Sequence, residues 1–169
     1  VVASVDAGGL ALAIEQSFGN CPQYIHLRHV RRVTASPAST SRFDGLDDEA
    51  RLAVARADTF FVASAAPAGV DVSHRGGPPG FVGIDGDTLT IPDYKGNRYF
   101  NTLGNLVANP RAALLFVDFE RGDLLGLAGT TEIIWSGAEV GAHPGAERLW
   151  RVRVERGWRR NGSVPLRWS

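Results

Sequence analysis

"DYKGNRYFNTLGNLVANPR" (Asp93–Arg111) stands between two runs that read as strands, "TLTIP" (88–92) and "AALLFVDF" (112–119). The apolar spacing inside it predicts a helix over Asn101–Ala108. That helix stops before Asn109-Pro110, because a residue preceding proline avoids the helical region. A helix start leaves backbone N–H groups unpaired and carries partial positive charge, so anions bind there. Lys95 and Arg98 come just before it, and Asn97, Asn101, Thr102 and Asn105 offer further hydrogen bonds. Gly96 and Gly104 permit close backbone approach. Two readings of these residues stand level. One is a phosphate site; the other is ordinary capping by Asn101 or Thr102, with Arg98 in solvent.

Working outward, the flanks alternate with the period of two that strands require. Upstream lie "TFFVASA" (59–65), "GVDVSHR" (69–75) and the hairpin "FVGIDGDTLTIP" (81–92), with Asp85-Gly86 as its turn. Downstream lie "RAALLFVDF" (111–119), "DLLGLAGTTEIIW" (123–135) and "ERLWRVRVERGWRR" (147–160). In the last of these, Trp150, Val152, Val154 and Trp158 are expected on one face, with Arg151, Arg153 and Arg159 on the other. "SGAEVGAHPGA" (136–146) reads as a loop. Before the strands, "FDGLDDEARLAVARAD" (43–58) follows the helical template, with Leu46, Ala50, Ala53, Val54 and Ala57 on one face. "GLALAIEQSF" (9–18) reads as a strand, and "RHVRRVTASPASTSR" (28–42) as a polar surface connection. About six strands with few helices, and no βαβ repeats, make the expected class mainly antiparallel β, a barrel.

The 169 residues suit one domain with an appendage. Lys+Arg and Asp+Glu both number 18, so no net field draws the chain to nucleic acid or an anionic membrane. No apolar run reaches the roughly 18 residues of a membrane span. The start lacks the basic, then apolar, pattern of a signal peptide. With Cys21 as the one cysteine, no intrachain disulfide and no metal-ligand spacing exist, and a reducing, cytoplasmic location is expected. Cys21 itself reads as a small buried hydrophobe, not a nucleophile. There is no methionine, which points to processing or to excision from something longer.

Together "SHRGGPPGFV", "LTIPDYKGNRYFNTLGNLVANPRAALLFVDF" and "GDLLGLAGTTEIIW" resemble the pyridoxamine 5′-phosphate oxidase-like FMN-binding split barrels. The resemblance is to a bacterial branch whose members also carry "QSFGNCPQYI", and whose larger relatives have an additional barrel-like region before it. It implies a six-stranded antiparallel split barrel over residues 44–169, with residues 1–43 as an amino-terminal strand and connecting segment. It also implies FMN as cofactor and a homodimer, FMN usually lying at the dimer interface. Carried onto this chain, the phosphate would lie against Asn97, Arg98, Asn101, Thr102 and Asn105. The ring edge would lie along Ser73, His74 and Arg75, with Phe116 and Asp118 near the end of the next strand. The oxidase's Ser-x-Lys phosphate motif is replaced here by "NRYFNTLGN". The implied activity is therefore FMN-dependent oxidoreduction of an unknown small substrate, with His74 the one candidate proton donor. The alternative is a non-catalytic module holding flavin, haem or a deazaflavin.

Overall fold

The computed structural model describes residues 2–6, 8–14, 17, 19, 22–34, 39–67, 69–96 and 100–169. Cys21, Asn97 and Arg98 lie outside the described residues. The elements are β1 (Val2–Asp6), β2 (Gly9–Leu12), β3 (Val30–Arg32), β4 (Thr40–Asp44), α1 (Asp48–Arg56), β5 (Thr59–Ala66) and β6 (Gly69–Gly76). Then follow β7 (Gly83–Asp85), β8 (Thr88–Tyr94), α2 (Asn101–Ala108), β9 (Arg111–Asp118), β10 (Asp123–Ile134), α3 (Ala138–Gly141), β11 (Ala146–Arg160) and β12 (Leu166–Trp168). The principal sheet has eight antiparallel strands, in the order β6-β5-β9-β10-β11-β8-β7, with β4 beside β11. The mainly β, split-barrel class holds, but the expected six strands become eight. Short β7 is the first arm of the expected Asp85-Gly86 hairpin, and polar β4 carries too little apolar alternation to announce itself.

β11 organises the split. One edge of it pairs with β10 from Leu149 to Arg160. The other edge pairs with β8 over Ala146–Arg153 and with β4 over Arg156–Arg160. Between them the register with β10 shifts at Ala128/Gly129, leaving Glu155 as an extra residue on β11. Such a bulge reverses which face each later side chain takes. Trp150, Val152 and Val154 are buried, but after the bulge Gly157 takes the inner position and Trp158 points outward, 36% exposed. The single four-residue apolar face expected of this strand is therefore two half-faces. Gly129 marks the crossing: a Cβ there would sit 2.0 Å from the carbonyl oxygen of Arg153.

The core fills the space the barrel encloses. Phe60 is its hub, with ring centroids 5.2 Å from Phe116, 5.9 Å from Phe81 and 6.2 Å from Trp150. Burying each such side chain contributes about 1.5–3 kcal/mol. Leu46, Ala50 and Val54 pack against this cluster; Ala53 is exposed, off the stripe expected for α1. Asp47 caps α1 by accepting from the Ala50 N–H at 2.9 Å. Its carboxylate also pairs with Arg159, tying the helix to the second half of β11. The stretch 136–146 contains α3, which buries Val140 and packs beside β11. "RHVRR" is no free linker, since β3 pairs with β12 near the carboxy terminus.

The two outer faces of the sheet differ. Register carries one row across five strands, from His74 through Phe61, Leu115 and Gly126 to Trp158. The next row runs from Val72 through Ala63 and Ala113 to Ala128. Val70 and Val72 stand exposed there. Across β8, β11 and β10 the rows are Thr88–Arg153–Thr130 and Thr90–Arg151–Glu132, lining an open groove of about 470 Å³.

Candidate functional site

The segment between β8 and β9 forms the expected helix, with the expected limits. Leu103 and Leu106 bury its inner side against the core. Its start is unusual. Phe100, the capping residue, lies in the left-handed region at φ 56, ψ 16, and no side chain caps the first turn. Neither Asn101 nor Thr102 acts as the cap. The Thr102 side chain is 1% exposed, and its Oγ1 has no hydrogen-bond partner among the described residues. Asn105, one turn on, donates from Nδ2 to Ser64 Oγ at 3.2 Å, anchoring α2 to β5. A Cβ added at Gly104 would meet nothing within 4 Å, so the side of the helix beside it is open.

Strand alternation divides the three β6 candidates. Ser73 and Arg75 are in register with the buried Val62 and Phe60, whereas His74 lies on the outer face in register with Phe61. Its ring meets Phe61 edge-on at 6.0 Å. Burial lowers the His74 pKa below 6.5, and the nearby Arg75, His26 and Arg28 lower it further against the opposing pull of Asp58, which favours the neutral imidazole. It is then a hydrogen-bond partner, not a charged donor. Ser73 donates to Asp71 at 2.7 Å.

Arg75 is drawn into an ion cluster that sequence reading missed. Its Nη1 donates to Asp93 Oδ1 at 2.8 Å, and Arg148 Nη1 donates to Asp93 Oδ2 at 2.9 Å. Arg148 Nη2 reaches Glu147 at 3.1 Å. Asp93 is 8% exposed; burial raises its pKa, while the two guanidiniums pull against that shift. β6 and β8 are not neighbours in the sheet, so Arg75–Asp93 joins them across the gap in the ladder. The Arg148 guanidinium also lies 4.7 Å from the Phe100 ring centroid. No spacing rule links Asp93 with Arg148, 55 positions away, before the strands are paired.

Phe116 and Asp118 sit apart from this group. Phe116 is in the core against Phe60. Asp118 accepts from the backbone N–H groups of Glu120 and Arg121, at 3.0 and 2.8 Å, and holds the β9–β10 turn. Packing and turn formation account for both. Among the described residues no group of three or more His, Cys, Asp or Glu side chains is placed to hold a metal. Nor is any helix among them long and apolar enough to cross a membrane.

A split antiparallel barrel with an uncapped helix start between its strands defines the class of protein, and comparison gives the family. The pyridoxamine 5′-phosphate oxidase family model matches residues 46–160, and the chain belongs to that family. A single-substitution form of HupZ from Group A Streptococcus is similar in structure, with TM-score 0.54 and 20% identity over 67% of this chain and 98% of that one. A proposed 5-nitroimidazole antibiotic resistance protein from Bacteroides thetaiotaomicron gives 0.53 and 15%, over 80% and 95%. An FAD-binding protein from Mesorhizobium loti gives 0.51 and 11%, over 74% and 98%. At these identities the likeness is one of fold. No curated protein matches the chain.

Proposed function

We propose that the chain binds FMN, with the phosphate at the first turn of α2. The observation that carries this reading is the buried, unpartnered hydroxyl of Thr102 in a turn that no side chain caps. A buried polar atom without a partner is costly, and a phosphate oxygen would supply one. Asn101 lies in the same turn, and Lys95 stands exposed before it. Asn97 and Arg98 belong to the same proposal by sequence. Ser73, His74 and Arg75 are proposed along the ring edge. When bound, the flavin supplies electron-accepting chemistry, while the protein supplies orientation and hydrogen bonds.

The reading favoured for activity is FMN-dependent oxidoreduction of a small substrate. The neutral state of His74 favours a second reading, a module that holds flavin without acid catalysis. Reduction of the bound flavin by a nicotinamide nucleotide, then reoxidation by an acceptor, separates the two. For the site, Thr102→Val keeps the shape and removes the hydroxyl. It should weaken FMN binding roughly tenfold and leave the thermal stability of the flavin-free protein unchanged or higher. Unchanged FMN affinity would exclude the hydroxyl as a phosphate ligand.

A homodimer is part of the same proposal, and the apolar outer face supports it better than the arginine strand does. Trp150, Val152 and Val154 are already enclosed by the chain's own core. Val70, Val72 and Trp158 remain uncovered beside Phe61 and Leu115, and contiguous apolar surface of this kind marks an interface.

A further inference from the structure

Arg148 stands outside every motif of the sequence, yet it touches both the ion cluster and the residue that opens α2. One of its amine groups is committed to Asp93 and the other to Glu147. Its side chain is 14% exposed. The face of the guanidinium is left, and it covers the Phe100 ring at 4.7 Å, a cation–π geometry. Phe100 is the one described non-glycine residue with positive φ. An aromatic residue rarely adopts that conformation unaided, so its neighbours must hold it there. From Phe100 the chain enters α2 directly, and the Phe100 carbonyl accepts the Gly104 N–H at 2.7 Å. The direction of the first turn therefore depends on where Phe100 is held.

We propose that Arg148 is a positioning residue for the anion site: anchored by Asp93 and Glu147, it fixes the Phe100 ring, and through it the first turn of α2, without itself touching the ligand. Arg75 braces the arrangement from β6 through the other oxygen of Asp93. The proposal rests on the phosphate site described above. It adds that selectivity for a phosphorylated flavin is set partly by residues on β8 and β11.

The test compares FMN with riboflavin, which has the same ring and lacks the phosphate. The Kd of each is measured by fluorescence quenching for the wild type, Arg148→Met, Arg148→Lys and Phe100→Leu. Arg148→Met keeps the apolar stem and removes the cation; it should reduce the preference for FMN over riboflavin roughly tenfold, with riboflavin affinity unchanged. Arg148→Lys should restore part of the preference. Phe100→Leu, at a surface position, should reduce it in the same direction and remains informative if Arg148→Met fails to fold. If Arg148→Met lowers the preference and Phe100→Leu does not, Arg148 touches the phosphate directly and the proposal is overturned. An unchanged preference in folded variants overturns it too, while leaving the site in place. Equal affinity of the wild type for the two flavins overturns both the phosphate site and the proposal.

Discussion

The two outer faces of the principal sheet share β10 and β11 and teach different things. Beyond the Glu155 bulge, β5, β6, β9 and β10 show valine, alanine, leucine and phenylalanine, and β11 adds Trp158. Before the bulge, β8, β10 and β11 show threonine, arginine and glutamate. Arg151 is paired there with Glu132 at 3.9 Å and with Glu139. A polar face of paired charges is satisfied by water. The apolar face is not, and among the described residues β6 at its end has no further strand beside it. One added residue in β11 thus separates a surface that solvent completes from one that another protein surface would complete.

The sharpest way to break this contrast is a charge on each face. Val72→Asp should weaken the proposed dimer at least a hundredfold, about 2.8 kcal/mol, because an unpaired carboxylate would be buried. Thr90→Asp should leave the dimer constant unchanged. Sedimentation equilibrium reads both, and equal responses would mean the faces are not different in kind. Next comes the bulge itself. Gly129→Ala drives a Cβ into the Arg153 backbone, which cannot swing aside as a side chain would. A loss of about 2 kcal/mol, or a Tm lower by about 4–8 °C, is expected.

A smaller effect belongs to Asp47, which binds α1 to the far half of β11. Asp47→Ala should cost about 1 kcal/mol by loss of the cap. The Arg159 hydrogen bond holds the Asp47 pKa below 3.8. Its stabilisation is therefore present above pH 3.8 and is lost as pH falls through the folded-state value. Wild type and variant should converge in denaturant melts at low pH; a gap that persists there would remove Asp47 ionisation as the cause. The smallest effect is that of His74. Its folded-state pKa lies below 6.5, so below that pH the unfolded chain binds more protons and stability falls. His74→Gln should flatten the decline below pH 6.5, and an unaltered slope would assign it to other groups.

Much of the fold is legible in the sequence because it rests on local chemistry. The Asp85-Gly86 turn and the Asn109-Pro110 stop each place an element within a residue or two. What escapes is what depends on partners far along the chain. The bulge cannot be read from β11, since "RVERGW" alternates well enough to hide an extra residue. It appears only against β10. β4, with its sequence "TSRFD", is a strand because β11 offers it an edge. At the site, the helix and its residues are legible, whereas the face of His74, the capture of Arg75 by Asp93 and the reach of Arg148 to Phe100 are products of strand pairing. Phe116 shows the opposite limit: its place in an alternating strand could already have assigned it to the core.

β4 has a consequence for the order of events during folding. It pairs with the far end of β11, and the Asp47–Arg159 contact that reinforces this joins residues 112 positions apart. β5, β6, β9 and β10 reach their neighbours through shorter loops, and pairings that close long loops meet a larger entropy cost before any contact compensates. Within the principal sheet, the five residues of β4 should therefore dock last and open first. In native-state hydrogen exchange their amides would report partial opening of the barrel, while those of β9 and β10 wait for the whole domain to unfold.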